Sequence, residues 1–192
     1  MRPTTLGVVG LGAMGGSVAL RAARAGVLRV VGYAPSPKDR AAAAHADRFT
    51  NAIVYVTPVE GGDRAAQEVA DFWTRVMGAQ PVTISAAQHD ERLAWTSHLP
   101  QAVASALAAA LATRGPSGAA YGQGALDTAR LAGSSVEMWT DVLLMNRDQV
   151  LAALSGTQES LDELKTALKA GDGATVGRWL ESGARWRSRF ET

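Results

Sequence analysis

The stretch that most constrains this 192-residue chain is Gly10-Leu11-Gly12-Ala13-Met14-Gly15. It follows the apolar run Leu6-Gly7-Val8-Val9 and opens a helical pattern from Met14 to Ala25 that Gly26 ends. G-x-G-x-x-G between a strand and a helix is the setting of the dinucleotide fingerprint. In that reading Gly10 makes the tight turn, Gly12 lets the backbone approach a pyrophosphate, and Gly15 lets the helix lie close to the strand. The N–H groups of Ala13 and Met14, at the positive end of the helix dipole, complete a cofactor-binding loop. The alternative is a tight strand-to-helix turn that binds nothing. An acidic residue usually ends the second strand and grips the ribose hydroxyls; here Ala34 follows Tyr33. Ser36, Lys38 and Arg40 come next and suit a 2′-phosphate, which favours NADP over NAD. Their alternative role is a solvated helix start.

The pattern around this loop alternates. Val30–Tyr33, Ala52–Val56 and Pro81–Ile84 read as strands, and Lys38–Phe49 and Asp63–Met77 as helices. That alternation predicts parallel βαβ units. A right-handed crossover through Lys38–Phe49 would carry the third strand to the free edge of the first, giving the order 2-1-3-4. After Ala87 strand patterns cease. Gln88–Thr113 reads as a long helix disturbed by Pro100, and Leu126–Leu131 as a short one. Ser134 to Glu137 fits a capping box that opens a helix to Leu154, with Gly156 beyond it. Ser160–Lys169 reads as another helix. The last begins at Asp172 and lines up Val176, Trp179, Gly183, Trp186 and Phe190. The expected fold is therefore α/β plus all-α. Residues 1–85 form a shortened, Rossmann-like dinucleotide-binding domain with a truncated parallel sheet, and 86–192 an all-helical domain.

Composition narrows the function. Nineteen basic residues stand against eighteen acidic ones, so the basic excess of a nucleic-acid binder is missing. Arg185, Arg187 and Arg189 read as a solvated helix end. No cysteine is present, which removes disulfides, thiolate metal sites and cysteine nucleophiles. Glycines interrupt the N-terminal apolar region, and Ala102–Ala112 is too short to span a bilayer. A cytoplasmic protein without membrane or metal partners is expected. The helical half has more apolar surface than about 100 residues can hide. That predicts a homodimer, with Trp139, Trp179 and Trp186 as anchors.

An ordered set of motifs points further. Gly10 to Ser17 reads Gly-Leu-Gly-Ala-Met-Gly-Gly-Ser. Asn51 to Pro58, His89-Asp90, Ser97-His98-Leu99-Pro100, Asp127 to Ala132, Met138-Trp139 and Asn146-Arg147 follow in sequence. Together they resemble the prephenate/arogenate dehydrogenases of tyrosine biosynthesis. The resemblance implies NAD(P)-dependent oxidative decarboxylation of a cyclohexadienyl ring, by an oxidoreductase that dimerises through its helical domain. It implies a small aromatic-precursor carboxylate as substrate, bound by Arg130 and His98. Trp139 would pack near Arg130 and Asp127 would help hold the arrangement. The family's His-Pro-Met-x-Gly segment, which carries its catalytic histidine, has no counterpart between Ala34 and Thr50. The three histidines are His45, His89 and His98, and none precedes proline. Gln101 stands where many members have a second histidine. Two functions thus compete: a dehydrogenase impaired by loss of that segment, with His98 the candidate catalytic residue, and a non-catalytic dimeric remnant that binds a ligand or partner.

Overall fold

The computed structural model describes residues 4–27, 29–34, 44–115 and 120–190. The chain divides into two compact units, Met1–His89 and Asp90–Thr192.

In the first unit β1 (Thr5–Val9) leads through the glycine loop into α1 (Ala13–Arg24) and β2 (Arg29–Tyr33). Later come β3 (Ile53–Val56), α2 (Asp63–Phe72), a π-helical turn at Trp73–Met77, and β4 (Gln80–Thr83). β1 pairs in parallel with β2, Thr5 opposite Arg29 and Val9 opposite Tyr33. β3 pairs in parallel with β4, Ile53 opposite Gln80 and Val56 opposite Thr83. The expected single sheet in the order 2-1-3-4 is not formed; among the described residues these are two separate two-stranded sheets.

The reason lies in the connection. Ser36, Lys38 and Arg40, and the first half of the expected Lys38–Phe49 helix, fall outside the described residues. What is described of that helix, from His45 onward, is a run of turns closed by Arg48 N–H to His45 O and Thr50 N–H to Asp47 O. These turns are fastened to α1. The Ser17 hydroxyl, fully buried, accepts from His45 N–H at 2.9 Å and Arg48 Nε at 3.0 Å, and donates to Ala13 O. Arg21 holds Asp47 at 2.9 Å and donates to Val76 O at 3.0 Å. The turns end at Asn51, in the left-handed region at φ 61, whose N–H bonds Gly78 O. That contact and Gln80 N–H to Ala52 O deliver β3 onto β4. The two pairs are joined by side chains instead. Ala22, Val27, Val76, Met77 and Ala79 form one buried cluster, against which Leu6, Val30, Phe49, Val54 and Trp73 pack. Among the described residues Val9, Val31, Tyr33 and Ile53 stay exposed, although parallel sheets are normally buried on both faces.

The second unit is helical. α3 (Ala86–Leu93), a π-helical turn at Ala94–His98 and α4 (Leu99–Arg114) follow without a gap. Pro100 lacks an N–H and its ring opposes a regular i→i−4 ladder. The expected disturbance takes the form of a widened turn just before it. α5 (Gln123–Ala129) ends in a 3₁₀ turn at Arg130–Gly133, then come α6 (Val136–Met145), α7 (Arg147–Ala170) and α8 (Gly173–Ser188).

Two expectations are corrected here. The helix starting near Ser134 stops at Met145, because Asn146 has non-helical dihedrals of φ −111 and ψ 30. Gly156 and Ser160 lie inside a single long helix, α7. A Cβ on Gly156 would come within 3.2 Å of the Trp95 ring, so here glycine makes room for a packed indole rather than ending a helix. The cap of α6 is Ser135, which accepts from Met138 N–H.

Trp179 uses its indole N–H within the unit, donating to Ser160 O at 3.0 Å and Ser160 Oγ at 2.9 Å. Trp186 stays exposed, its ring tilted against that of Phe190 with centroids 5.1 Å apart. Asp172 caps α8. Bonds from the Thr175 hydroxyl and then the Thr175 N–H hold its carboxyl below the usual carboxylate range. A depressed folded pKa contributes stability above the unfolded value, and that stability is lost as pH falls through the folded value. The Thr175 amide is therefore expected to exchange faster with deuterium as pH drops below the ordinary aspartate range, relative to intrinsic rates. In Asp172→Ala it should exchange fast at every pH.

Candidate functional site

The glycine loop has the geometry its motif requires. Gly10 takes φ +85, which only glycine adopts freely, and its N–H bonds Tyr33 O at 2.8 Å, so the loop continues the β1–β2 ladder. A Cβ on Gly15 would lie 1.8 Å from Gly10 O and 3.3 Å from a Val8 methyl. Helix and strand thus touch at a point that admits no side chain. A Cβ on Gly12 would meet nothing within 4 Å. Gly12 is also the N-cap of α1, with no side chain bonded to the cap and no acidic residue in the first turn. A helix end of this kind offers unpartnered N–H groups and a partial positive charge, which favour an anion. A tight Gly15 beside an open Gly12 fits a dinucleotide pyrophosphate.

The second site lies in the helical unit. The π turn carries His98, buried at 7% exposure, at the head of α4. Trp139 of α6 meets its ring edge-on, centroids 6.0 Å apart. Asn146, at the α6–α7 break, places Nδ2 3.2 Å from His98 Nδ1 and 2.8 Å from Asp90 O. Ala94, Val150 and Ala153 form a small buried core, with Leu99 and Leu143 packed against it. One turn along α4, Gln101 is also buried. Its Nε2 donates to Leu131 O at 3.0 Å and fastens the Arg130–Gly133 turn to α4. Gln101 Oε1 is buried and has no hydrogen-bond partner among the described residues.

Of the residues expected at this site, His98 and Trp139 are brought into contact. Arg130 begins the 3₁₀ turn and is exposed. Asp127, also exposed, accepts from Gln123 Nε2 at 2.7 Å. Among the described residues no helix is long and apolar enough to cross a membrane, and no group of three or more His, Asp or Glu side chains gathers for a metal.

Residues 85–182, just over half of the chain, match the model of the prephenate dehydrogenase dimerization domain. The chain belongs to the prephenate/arogenate dehydrogenase family. It is 29% identical over 163 residues to the prephenate dehydrogenase of Bacillus subtilis (strain 168), covering 80% of this chain and 43% of that protein. It is 32% identical over 138 residues to the cyclohexadienyl dehydrogenase of Zymomonas mobilis, covering 68% and 46%. The chain thus spans less than half the length of these curated relatives. Its fold is that of the Aquifex aeolicus prephenate dehydrogenase, at a TM-score of 0.82, 18% identity, and 99% and 100% coverage of the two chains. That enzyme's complex with hydroxyphenyl propionate and NAD+ aligns at 0.76, 19% identity, and 96% and 97% coverage.

Within the family pattern, the structure gives roles to two residues whose sequence context does not show them. Asn146 was visible only as part of an Asn-Arg pair; its position at the break between two helical patterns was the available signal. Gln101 stood out as a departure at a histidine position. Nothing in its neighbours announced that its amide would bind the backbone of a turn thirty residues away.

Proposed function

We propose that this chain retains both binding functions of a prephenate/arogenate dehydrogenase while its hydride transfer is impaired. The glycine loop, closed at Gly15 and open at Gly12, carries the proposal. Gly10, Gly12, Ala13, Met14 and Gly15 would hold the pyrophosphate of a nicotinamide dinucleotide through backbone N–H groups. Ser36, Lys38 and Arg40 would take a 2′-phosphate, so NADP is favoured over NAD. When bound, the nicotinamide supplies the hydride acceptor for oxidation of the ring carbinol.

In the helical unit the substrate is a small cyclohexadiene carboxylate. Arg130 offers it an exposed, permanently charged guanidinium, which clamps carboxylate in two parallel hydrogen bonds. His98 adds a directed hydrogen bond, Trp139 an aromatic edge, and Asp127 helps to order the helix that leads to Arg130. The test is titration calorimetry with hydroxyphenyl propionate, the ligand bound in the Aquifex structure. Weak binding is expected, and Arg130→Ala should weaken it further by ~1.5–3 kcal/mol, the range for hydrogen bonds to charged groups. An unchanged affinity in that variant would remove Arg130 from the site.

The second reading, a non-catalytic dimeric remnant, is favoured by the exposed strand residues Val9, Val31, Tyr33 and Ile53 and by the missing His-Pro-Met-x-Gly segment. Both readings include a homodimer through the helical unit and a soluble, cytoplasmic location. Trp186, Phe190, Met145 and Leu144 are large, apolar and exposed. Sedimentation at micromolar concentration should give twice the chain mass, and Trp186→Glu should shift the protein toward monomer.

A further inference from the structure

The cluster around His98 fixes a protonation state as well as a position. Asn146 Nδ2 lies within hydrogen-bond distance of two groups at once, Asp90 O at 2.8 Å and His98 Nδ1 at 3.2 Å. A backbone carbonyl oxygen only accepts. The end of the amide that faces Asp90 must therefore be the NH2 group, because the reverse orientation would set two oxygens against each other. That NH2 group has two hydrogens and only donates. One goes to Asp90 O, and the other meets His98 Nδ1. Nδ1 must then be an unprotonated acceptor, and in the neutral ring the proton sits on Nε2.

We infer that Asn146 is a positioning residue that holds His98 as the neutral Nε2–H tautomer, so that the ring offers a donor to a bound carboxylate or hydroxyl oxygen. Turning the ring over would replace Nδ1 by a carbon and forfeit the bond. The edge-on Trp139 ring and the burial of His98 restrict that rotation. The backbone supports the same arrangement. Asn146 leaves helical dihedrals at the α6–α7 junction, which lets its side chain reach back to residues 90 and 98 on another helix. The identity of the acceptor rests on the proposed carboxylate site; the tautomer does not.

Long-range proton–nitrogen spectra of the full chain, uniformly labelled with nitrogen-15, decide the matter. Only three histidines contribute, and His45→Gln and His89→Gln assign them by elimination. The expected His98 signals are a pyridine-type Nδ1 and a pyrrole-type Nε2 at neutral pH. A pyrrole-type Nδ1 in the unmodified chain would overturn the inference, and this measurement needs no variant to fold. Asn146→Asp exchanges the donor for an acceptor and should convert Nδ1 to a pyrrole-type signal, a change that loss of packing alone would not produce. Persistence of the pyridine-type Nδ1 in a folded Asn146→Asp protein would also overturn it. Added hydroxyphenyl propionate should move the Nε2 signal and leave Nδ1 in place. Calorimetric binding without any Nε2 change would refute the donor role. Absence of binding altogether would refute the carboxylate reading of the helical unit while the tautomer, read in the unliganded chain, stands.

Discussion

Mixed with prephenate or arogenate and either nicotinamide dinucleotide, the chain is expected to produce no reduced cofactor above background. Oxidation of a ring carbinol needs a base at the hydroxyl as hydride departs, and such help is worth roughly two to four orders of magnitude in rate. None of the three histidines is free for the task in the first instance. His45 is exposed at the turn beside α1, where its Nδ1 faces the Asp47 amide at 3.3 Å. His89 meets Tyr55 edge-on at 6.2 Å. His98 has Nδ1 engaged by Asn146 and, with the proton on Nε2, presents a donor where a base must accept. The check is absorbance of the reduced nicotinamide over hours, beside calorimetry on the same preparation. Robust prephenate-dependent reduction would show that one histidine has assumed the missing role. His98→Gln would then be the first variant to assay, because it stands in the helical unit beside Trp139.

Gly15→Ala is expected to destabilise the first unit severely, and Gly12→Ala to leave its stability almost unchanged. The two glycines lie three residues apart in one motif, and the motif already gives them different roles. The geometry gives each role a size. The added carbon at Gly15 would overlap Gly10 O at 1.8 Å, a backbone atom held by the Gly10 N–H to Tyr33 O bond. It cannot yield without parting α1 from β1. Overpacking of this kind costs ~3 kcal/mol, which for a unit of this size lowers the thermal midpoint by roughly 10–20 °C. At Gly12 the carbon meets open space, and φ −63 suits alanine. Its effect should appear in dinucleotide affinity, because the methyl occupies the approach of the pyrophosphate. Scanning calorimetry and a dinucleotide titration on both variants separate the two roles. Equal loss of stability in both would contradict the loop geometry.

The glycine loop was legible because each of its constraints is local: a strand, a turn and a helix start within about ten residues. The helical unit was legible as helices, since Asp172 starts the last one where it stands, although the cap of α6 is Ser135 rather than Ser134. The sheet order was not. It depended on where the connection before β3 would travel, and that was decided by the hydroxyl of Ser17 and the guanidinium of Arg21. Both read in sequence as ordinary helix residues, and their partners lie 26 to 55 positions away. Gly156 misled for a similar reason. Its meaning came from Trp95, on another helix. At the site, Arg130 and His98 were visible through the family motifs, whereas the orienting role of Asn146 required the backbone carbonyl of Asp90. Long-range polar bonds, like the packing of a distant ring, leave little trace in local patterning.

The π turn at Ala94–His98 has a consequence for reading any relative of this chain. Such a turn behaves as one surplus residue spliced into a helix, and one residue is worth about 100° of rotation about the axis. Side chains before Ala94 and after His98 therefore belong to two angular frames. A helical wheel drawn continuously from Ala86 to Arg114 would misassign the sides on which Trp95, His98 and Gln101 emerge. Loss of a single codon from this turn would leave a smoother helix, with every later side chain turned about a quarter of the way round. Length conservation across these five positions thus becomes a criterion for recognising chains that still present the same residues at this site.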